Sequence, residues 1–255
     1  MLNMIRHGQP TENAGLLIVH GLYGSARNWG VIAKRLSEGR EVVAVDQRNH
    51  GLSPWEKTHD YNDMADDLAQ VLGQLNGPFD VLGHSMGGKA AMVLALTRPE
   101  LVNRLILADI APVGYSHSQI QYIEAMRAVD LQIVDKRSDA EAQLAEHVDD
   151  PILRSFFTQS LDLKEKKWRL NLDVLAEEMP KILNFPEISG EYLGPTLFLS
   201  GADSDYVKRE YRPEIKALFP NAGFLKIPGA GHWLHAEKPR EFEAAVKAWL
   251  ERENV

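Results

Sequence analysis

Residues 83–87 read Gly83-His84-Ser85-Met86-Gly87, a G-x-S-x-G pentapeptide with its serine between two glycines. A short apolar run, 79–82, precedes it, and a segment of helical period follows as far as Thr97. This order predicts a sharp turn from a strand into a helix, with Ser85 at its tip and glycines where the backbones approach closely. The pattern is typical of a serine nucleophile. The N–H of Met86, at the positive end of the helix, is the expected first donor to an oxyanion.

A second glycine-containing turn, His20-Gly21-Leu22-Tyr23-Gly24, ends the first buried apolar run, residues 16–19. The loop after that strand is expected to lie beside the serine turn and to supply a second backbone N–H for the oxyanion. Leu22 is the candidate donor. We interpret His20 as a structural hydrogen-bonding residue rather than a catalytic one.

A loop of small residues near the end of the chain reads Gly229-Ala230-Gly231-His232-Trp233. It lies between the last predicted strand and the last predicted helix. A histidine there reaches back over the strand ends to Ser85 and acts first as general base and then as general acid. His235 is the rival, but its neighbours already resemble the start of the final helix. His232 is therefore the predicted base.

Apolar runs alternate along the chain with segments of helical period. The predicted strands are 16–19, 42–45, 79–82, 105–108, 196–199 and 224–227. The predicted helices between and after them are 25–36, 61–75, 85–97 and 239–250. Strands alternating with helices of this length predict βαβ units and a doubly wound, mainly parallel sheet of the α/β class.

The alternation stops between residues 113 and 191, which are polar, helical in period and poor in strand-like runs. The helical stretches are 119–129, 139–147 and 172–183. We expect a helical cap inserted into a core made of residues 1–112 and 192–255, covering the strand ends where open α/β sheets bind ligands. Several aromatic residues are candidates for either the pocket or the core: Tyr23, Trp29, Tyr115, Phe156, Phe157, Trp168 and Trp233.

The composition excludes several other kinds of site. The 255 residues include no cysteine, which rules out a thiol nucleophile, a disulfide and a cysteine metal site. A formal net charge of −8 argues against nucleic acid as a partner. We interpret the basic run 164–169 as a solvated surface rather than a docking patch for an anionic substrate.

The sequence pattern also bears on membrane insertion and secretion. No apolar run approaches the roughly 18–20 residues that a membrane span needs, and residues 1–10 lack the apolar region of a signal peptide. We therefore expect a cytoplasmic protein without membrane insertion. The sequence leaves the oligomeric state open.

Two further stretches resemble a known family: Asp46-Gln47-Arg48-Asn49-His50-Gly51-Leu52-Ser53 and Asp109-Ile110-Ala111-Pro112-Val113. Together with the serine turn, which continues to Lys89, they resemble the α/β-hydrolase superfamily over nearly the whole chain. Within it they are similar to the small bacterial esterases typified by YbfF. Asn49 stands where the superfamily has glycine, and few members carry Lys89. The resemblance implies an esterase with a helical cap that uses neither a metal nor an organic cofactor.

The carboxylate partner of His232 departs from the usual pattern. The superfamily places it after the strand that follows the cap, three residues beyond a glycine, where this chain has Ser204 between Asp203 and Asp205. A serine cannot stabilise an imidazolium as a carboxylate does. Some members place the acid instead at the end of the strand after the serine helix, which here is Asp109. We predict Asp109 as the acid and Ser204 as its hydrogen-bonding helper, with Asp203 and Asp205 as alternative acids.

The predicted function is a serine esterase or thioesterase that hydrolyses short- to medium-chain acyl esters through an acyl-serine intermediate. Its partner would be a small-molecule acyl ester or thioester. Carbon–carbon bond hydrolases and perhydrolases use the same serine, and a non-catalytic ligand receptor on the same fold is a third alternative. The Arg6-His7-Gly8 stretch also resembles the opening of histidine phosphatases, but we expect Arg6 and His7 at the end of an edge strand.

Overall fold

The computed structural model describes residues 1–75 and 77–252, so Asn76 and residues 253–255 of the predicted core lie outside the described residues. Seven strands form one sheet in the order β1-β3-β2-β4-β5-β8-β9, and β6 and β7 form a separate hairpin. The strands are β1 Met4–His7, β2 Leu16–Val19, β3 Val42–Val45, β4 Phe79–His84, β5 Val102–Ala108, β6 Leu161–Asp162, β7 Lys167–Trp168, β8 Thr196–Gly201 and β9 Ala222–Ile227.

Eleven α-helices and four short 3₁₀ helices connect the strands of the described residues. The α-helices are α1 Gly30–Leu36, α2 Tyr61–Gln74, α3 Met86–Thr97, α4 Ile120–Ala128, α5 Arg137–Leu144, α6 Pro151–Thr158, α7 Leu172–Glu177, α8 Met179–Leu183, α9 Arg212–Leu218, α10 Leu234–Glu237 and α11 Pro239–Leu250. The 3₁₀ helices are Ala26–Trp29, Pro99–Leu101, Leu131–Ile133 and Arg209–Tyr211.

The central strands are buried on both faces. All residues of β2, β3 and β4 are buried, and these strands carry apolar runs instead of alternating polar and apolar residues. Such runs are typical of a parallel sheet with helices on both sides. Separate hydrophobic clusters lie on the two faces, one around α2 and α3 and the other around α1 and α11. The predicted doubly wound, mainly parallel sheet is confirmed; among the described strands of this seven-stranded sheet, only β1, at its edge, pairs antiparallel.

The strand order brings the predicted site residues to one edge of the sheet, the edge formed by the carboxyl ends of the parallel strands. From β2 the chain moves first to β3 on one side and then to β4 on the other. Open α/β sheets bind ligands at the carboxyl ends of strands beside such a reversal. The loops that follow β2, β4, β5 and β8 therefore meet at this edge.

Helix α3 forms the centre of the molecule behind the serine turn. Ten of its residues are buried, so it is apolar on all sides, as expected for a helix enclosed by other elements. The helix ends at Thr97 because Arg98 precedes Pro99, and the residue before a proline is disfavoured in helical conformation.

Residues 113–191 lie between β5 and β8, which are neighbours in the sheet. The insertion contains α4 to α8, as its helical period predicts, but three details differ from expectation. Helix α6 and the β6–β7 hairpin were not predicted, and the basic run 164–169 extends from the hairpin turn through β7 to the residue that follows it. The predicted helix 172–183 is two helices, since Pro180 lacks the N–H needed to continue the first. In the core, predicted helix 25–36 starts as a 3₁₀ helix.

Candidate active site

Ser85 lies on the predicted turn between β4 and α3, in a strained backbone conformation with φ 51° and ψ −121°. The turn is possible because glycines stand where chains cross. A Cβ on Gly83 would lie 2.4 Å from the carbonyl oxygen of Gly87, and one on Gly87 would lie 2.4 Å from that of His20. The Ser85 N–H donates to the carbonyl of Ala108 at 3.0 Å, which fixes the turn against β5.

Ser85, His232 and Asp109 form a continuous chain of hydrogen bonds. Nε2 of His232 lies 3.0 Å from Ser85 Oγ, and Nδ1 lies 2.8 Å from Asp109 Oδ2. An ionised carboxylate only accepts, so Nδ1 carries the proton and Nε2 is free to accept one from the serine hydroxyl. This is the arrangement a serine nucleophile needs from its base.

Asp109 is fully buried at the end of β5 and has φ 52°. Besides His232, its carboxylate accepts from the N–H of Gly201 at 3.1 Å and from the hydroxyl of Ser204 at 2.5 Å. The structure thus brings Asp109 and Ser204 together with His232. Asp203 and Asp205 are exposed, and neither is bonded to His232.

The peptide between Gly21 and Leu22 is held in one orientation. Nε2 of His20 accepts from the Gln47 N–H at 2.9 Å, so the ring proton is on Nδ1, which donates to the Gly21 carbonyl at 2.8 Å. The N–H of Gly24 donates to the same oxygen at 3.0 Å. Because a trans peptide points its N–H away from its C=O, these two bonds turn the Leu22 N–H away from the loop interior. Leu22 and Met86 both line the cavity beside Ser85.

The next residue, Tyr23, has φ 63° and is held there by the histidine of the 46–53 motif. Its N–H donates to Nε2 of His50 at 3.2 Å. Burial lowers the pKa of His50 well below its ordinary value, so the ring stays neutral and able to accept. His50 therefore has a structural role in holding this turn. The sequence had indicated only that His50 belongs to a motif resembling the esterase family.

Two other histidines near the site serve packing instead of proton transfer. His235, the rival base, stacks on Trp29 with 4.4 Å between ring centroids. Burial lowers its pKa to about 3. His84 is buried beside Ser85, and its Nε2 lies 2.9 Å from the carbonyl of His232. Burial also lowers the pKa of His84 well below its ordinary value.

A cavity of about 200 Å³ opens beside Ser85, between the sheet edge and the insertion. Of the aromatic candidates, Tyr23, Tyr115, Phe157 and Trp233 line it. Trp29 and Trp168 belong to the core. Phe156 does not line the cavity and packs on Trp233, with 4.5 Å between ring centroids. Three lining tyrosines were not singled out by sequence: Tyr61, Tyr122 and Tyr206.

Lys89 lies in the same cavity and is almost completely buried, with 1% of its surface exposed. Its Nζ donates to the carbonyls of Leu183 at 2.9 Å and Asn184 at 2.8 Å, at the end of α8, and lies 4.7 Å from the ring centre of Tyr115. Burial lowers the pKa of Lys89 to about 7. The sequence marked this lysine as unusual, but its contact with the insertion depends on the tertiary structure.

The structure describes residues 1–75 and 77–252, and two statements hold for these ranges. Within these ranges, His, Asp and Glu side chains form no cluster of three that could hold a metal ion. No helix in the same ranges is both long and apolar enough to cross a membrane.

The chain is similar to known proteins over most of its length. Residues 16–239 match the model of a family described by its alpha/beta hydrolase fold. The sn-1-specific diacylglycerol lipase ABHD11 of Mus musculus is 43% identical over 246 residues, which cover 92% of this chain and 80% of the relative. Esterase YbfF of Escherichia coli is 37% identical, with 94% of each chain covered. A solved marine microorganism esterase superposes with a TM-score of 0.92 at 36% identity, covering 97% of this chain and 98% of its own.

The chain therefore belongs to the α/β-hydrolase fold family. The three relatives compared above are named as a lipase and two esterases, and the protein is a serine hydrolase. The resemblance to YbfF-type esterases predicted from residues 46–53, 83–89 and 109–113 is confirmed.

Proposed function

We propose that the protein is a serine esterase that hydrolyses acyl esters or thioesters by two-step acyl transfer. The observation that carries this proposal is the hydrogen-bonded chain from Asp109 through His232 to Ser85, which ends at a cavity open to a substrate. The names of the esterase and lipase relatives support the same reaction class.

In the first step, Ser85 Oγ attacks the substrate carbonyl while Nε2 of His232 takes the serine proton. Asp109 stabilises the imidazolium that forms. The N–H groups of Leu22 and Met86 bind the oxyanion, and Met86 does so at the positive end of α3. The imidazolium then gives its proton to the leaving alcohol or thiol, and an acyl-serine remains.

In the second step, water replaces the alcohol. His232 takes a proton from the water while the water oxygen attacks the acyl-serine carbonyl. It then gives that proton to Ser85 Oγ as the bond between Oγ and the acyl carbon breaks and the carboxylic acid leaves. Both steps pass through an oxyanion in the same place, so one pair of N–H donors serves both. Each step uses only side chains and backbone groups of this chain together with substrate and water.

We further propose that residues 113–191 act as a cap whose inner surface selects the acyl group. Tyr115, Tyr122 and Phe157 of this segment line the cavity opposite Ser85. An apolar wall beside a few polar groups favours an acyl chain. We expect short to medium chains to fit. Diacylglycerol, the substrate in the name of the mouse relative, belongs in the test panel beside simple esters.

The decisive variant is Ser85→Ala, compared with Ser155→Ala on the exposed surface of α6. Ser85→Ala should keep the fold and lose on the order of 10⁶ in kcat for a p-nitrophenyl ester, as in removal of other serine nucleophiles. Ser155→Ala should match the wild type. Near-wild-type turnover by Ser85→Ala would exclude the mechanism.

A fluorophosphonate probe separates the alternatives. Labelling of Ser85, seen by peptide mass, together with hydrolysis of p-nitrophenyl esters or acyl-CoAs supports the proposal. Labelling without hydrolysis of any ester in the panel would favour a carbon–carbon bond hydrolase or perhydrolase. Absence of labelling would favour a non-catalytic receptor.

A further inference from the structure

The phenol ring of Tyr206 lies face to face with the imidazole of His232. Their ring centres are 3.8 Å apart and their planes differ by 20°. The other rings around His232 are tilted: His84 lies at 5.0 Å and 41°, and Trp233 at 5.7 Å and 74°. Within the described part of the chain, only Tyr206 presents its face to this histidine.

Contacts from different elements hold Tyr206 in this position. Its N–H donates to Ser204 Oγ at 3.3 Å, and the Ser204 hydroxyl is also bonded to Asp109. Its carbonyl accepts from the Tyr115 hydroxyl at 2.8 Å, and its own hydroxyl pairs with Nε2 of His117. The backbone of Tyr206 is therefore tied to Ser204 beside the candidate acid and to Tyr115 of the insertion, and the hydroxyl on its ring is tied to His117.

The phenol stays uncharged in this environment. Burial raises the pKa of Tyr206, and the nearby carboxylates of Asp109 and Asp205 raise it further. A neutral phenol ring carries partial negative charge on its face, and that face attracts a cation placed over it. The group placed there is His232, which becomes a cation when it takes the proton of Ser85.

We propose that Tyr206 is a positioning residue that favours the imidazolium form of His232 and keeps its ring in the plane that serves both Asp109 and Ser85. The inference rests on the proposed role of His232 as the base. In the proposed mechanism, His232 gains its positive charge when it takes the proton of Ser85. The ring face therefore stabilises the transition state more than the substrate complex, and its loss should lower kcat more than it raises KM.

The experiment compares Tyr206→Phe, which keeps the ring face, with Tyr206→Leu, which removes it. Tyr211→Leu is the control, since Tyr211 belongs to the same connection after β8 but does not line the cavity. With p-nitrophenyl acetate, we expect Tyr206→Leu to lose roughly 3- to 30-fold in kcat with KM changed less than about 2-fold. Tyr206→Phe and Tyr211→Leu should stay within about 3-fold of wild type.

The pH profile separates a cation-stabilising ring from one that only packs. Removing the face makes the imidazolium less favourable, so the acidic limb of kcat/KM in Tyr206→Leu should move to lower pH, by roughly half a unit to one unit. A limb that does not move would overturn the inference, as would an equal loss in Tyr206→Phe, which would assign the effect to the His117 contact. His232→Asn tests the underlying function separately: wild-type activity in that variant would contradict the base itself.

Discussion

At the scale of single residues, two chain segments contribute to the hydrogen bonds beside His232: Asp109 follows β5 and Ser204 follows β8. The position expected to hold the carboxylate carries Ser204, and the carboxylate bonded to His232 is that of Asp109, at the end of the neighbouring strand. The serine hydroxyl donates to the same oxygen that accepts from His232. Two donors on one oxygen satisfy the hydrogen bonding of a fully buried carboxylate.

This arrangement predicts a graded response to substitution. Asp109→Asn keeps the shape but favours the wrong histidine tautomer, so kcat should fall by roughly 10⁴. Ser204→Ala removes one supporting bond and should cost roughly 10- to 100-fold. The measurement is kcat on one p-nitrophenyl ester, with folding checked by circular dichroism.

Asp203→Asn and Asp205→Asn are the matched controls, because both side chains are exposed within the same loop as Ser204. They should remain within about 2-fold of wild type. If Asp203→Asn or Asp205→Asn lost most of its activity while Asp109→Asn remained active, the acid would belong to the loop after β8.

At the scale of elements, the sequence predicted what depends on local pattern. The strands of the sheet and the turn at Ser85 follow from apolar runs and from glycines at chain crossings, and both are local properties. The insertion was harder to predict. Helix α6 and the β6–β7 hairpin are short, and short elements are set by tertiary contacts more than by propensity.

In the candidate site, too, some residues could be predicted from local sequence and others depend on tertiary contacts. Ser85 and His232 lie in glycine-containing turns that can be recognised from the sequence. Tyr206 carries no such signal: it is two residues from Ser204, yet only the fold reveals that its ring lies on His232. Lys89 likewise meets the end of α8, almost a hundred residues away, through contacts that no local pattern encodes.

Helix α6 offers a test of the proposed cap. Phe157 is buried and lines the cavity, where it packs edge-on against Tyr23 with 5.6 Å between ring centres. Phe157→Leu should enlarge the cavity and shift the preferred acyl chain of p-nitrophenyl esters by about two carbons or more. Phe156→Leu on the same helix is the control, since Phe156 does not line the cavity. Labelling of Ser85 by a small phosphonate should persist in both variants, and identical chain-length profiles would contradict the cap proposal.

At the scale of the whole molecule, the insertion and the sheet core are joined by polar contacts on buried groups. Three successive carbonyls at the end of α8 accept from the core: Ile182 from the Tyr61 hydroxyl, and Leu183 and Asn184 from Lys89. Elsewhere, the Asn171 side chain donates to Asn49 Oδ1 at 3.0 Å. Asn49 has φ 63°, a conformation that favours glycine, and its amide gains this contact where glycine would have none.

The lysine at this junction makes stability depend on pH. Burial lowers the pKa of Lys89 from 10.5 to about 7, so between these values the unfolded chain binds more protons than the folded one. Stability therefore rises with pH through this interval, and the cost of burying the charge is fully present below about pH 7.

Comparison of wild type with Lys89→Met isolates this contribution. The free energy of unfolding, measured in urea at several values between pH 6.5 and 9.5, should rise with pH in the wild type relative to the variant, by at most about 1.4 kcal/mol per pH unit. Lys226→Met, at an exposed position of β9, should show a flat difference. The variant lacks the Lys89 amine at every pH, so loss of the bonds to Leu183 and Asn184 lowers its free energy of unfolding by the same amount throughout. Only titration of the buried amine in the wild type makes the difference between the two proteins change with pH. A difference between wild type and Lys89→Met that stays constant across this range would mean that the amine is charged in the folded protein, held as a cation by the two carbonyls and the face of Tyr115.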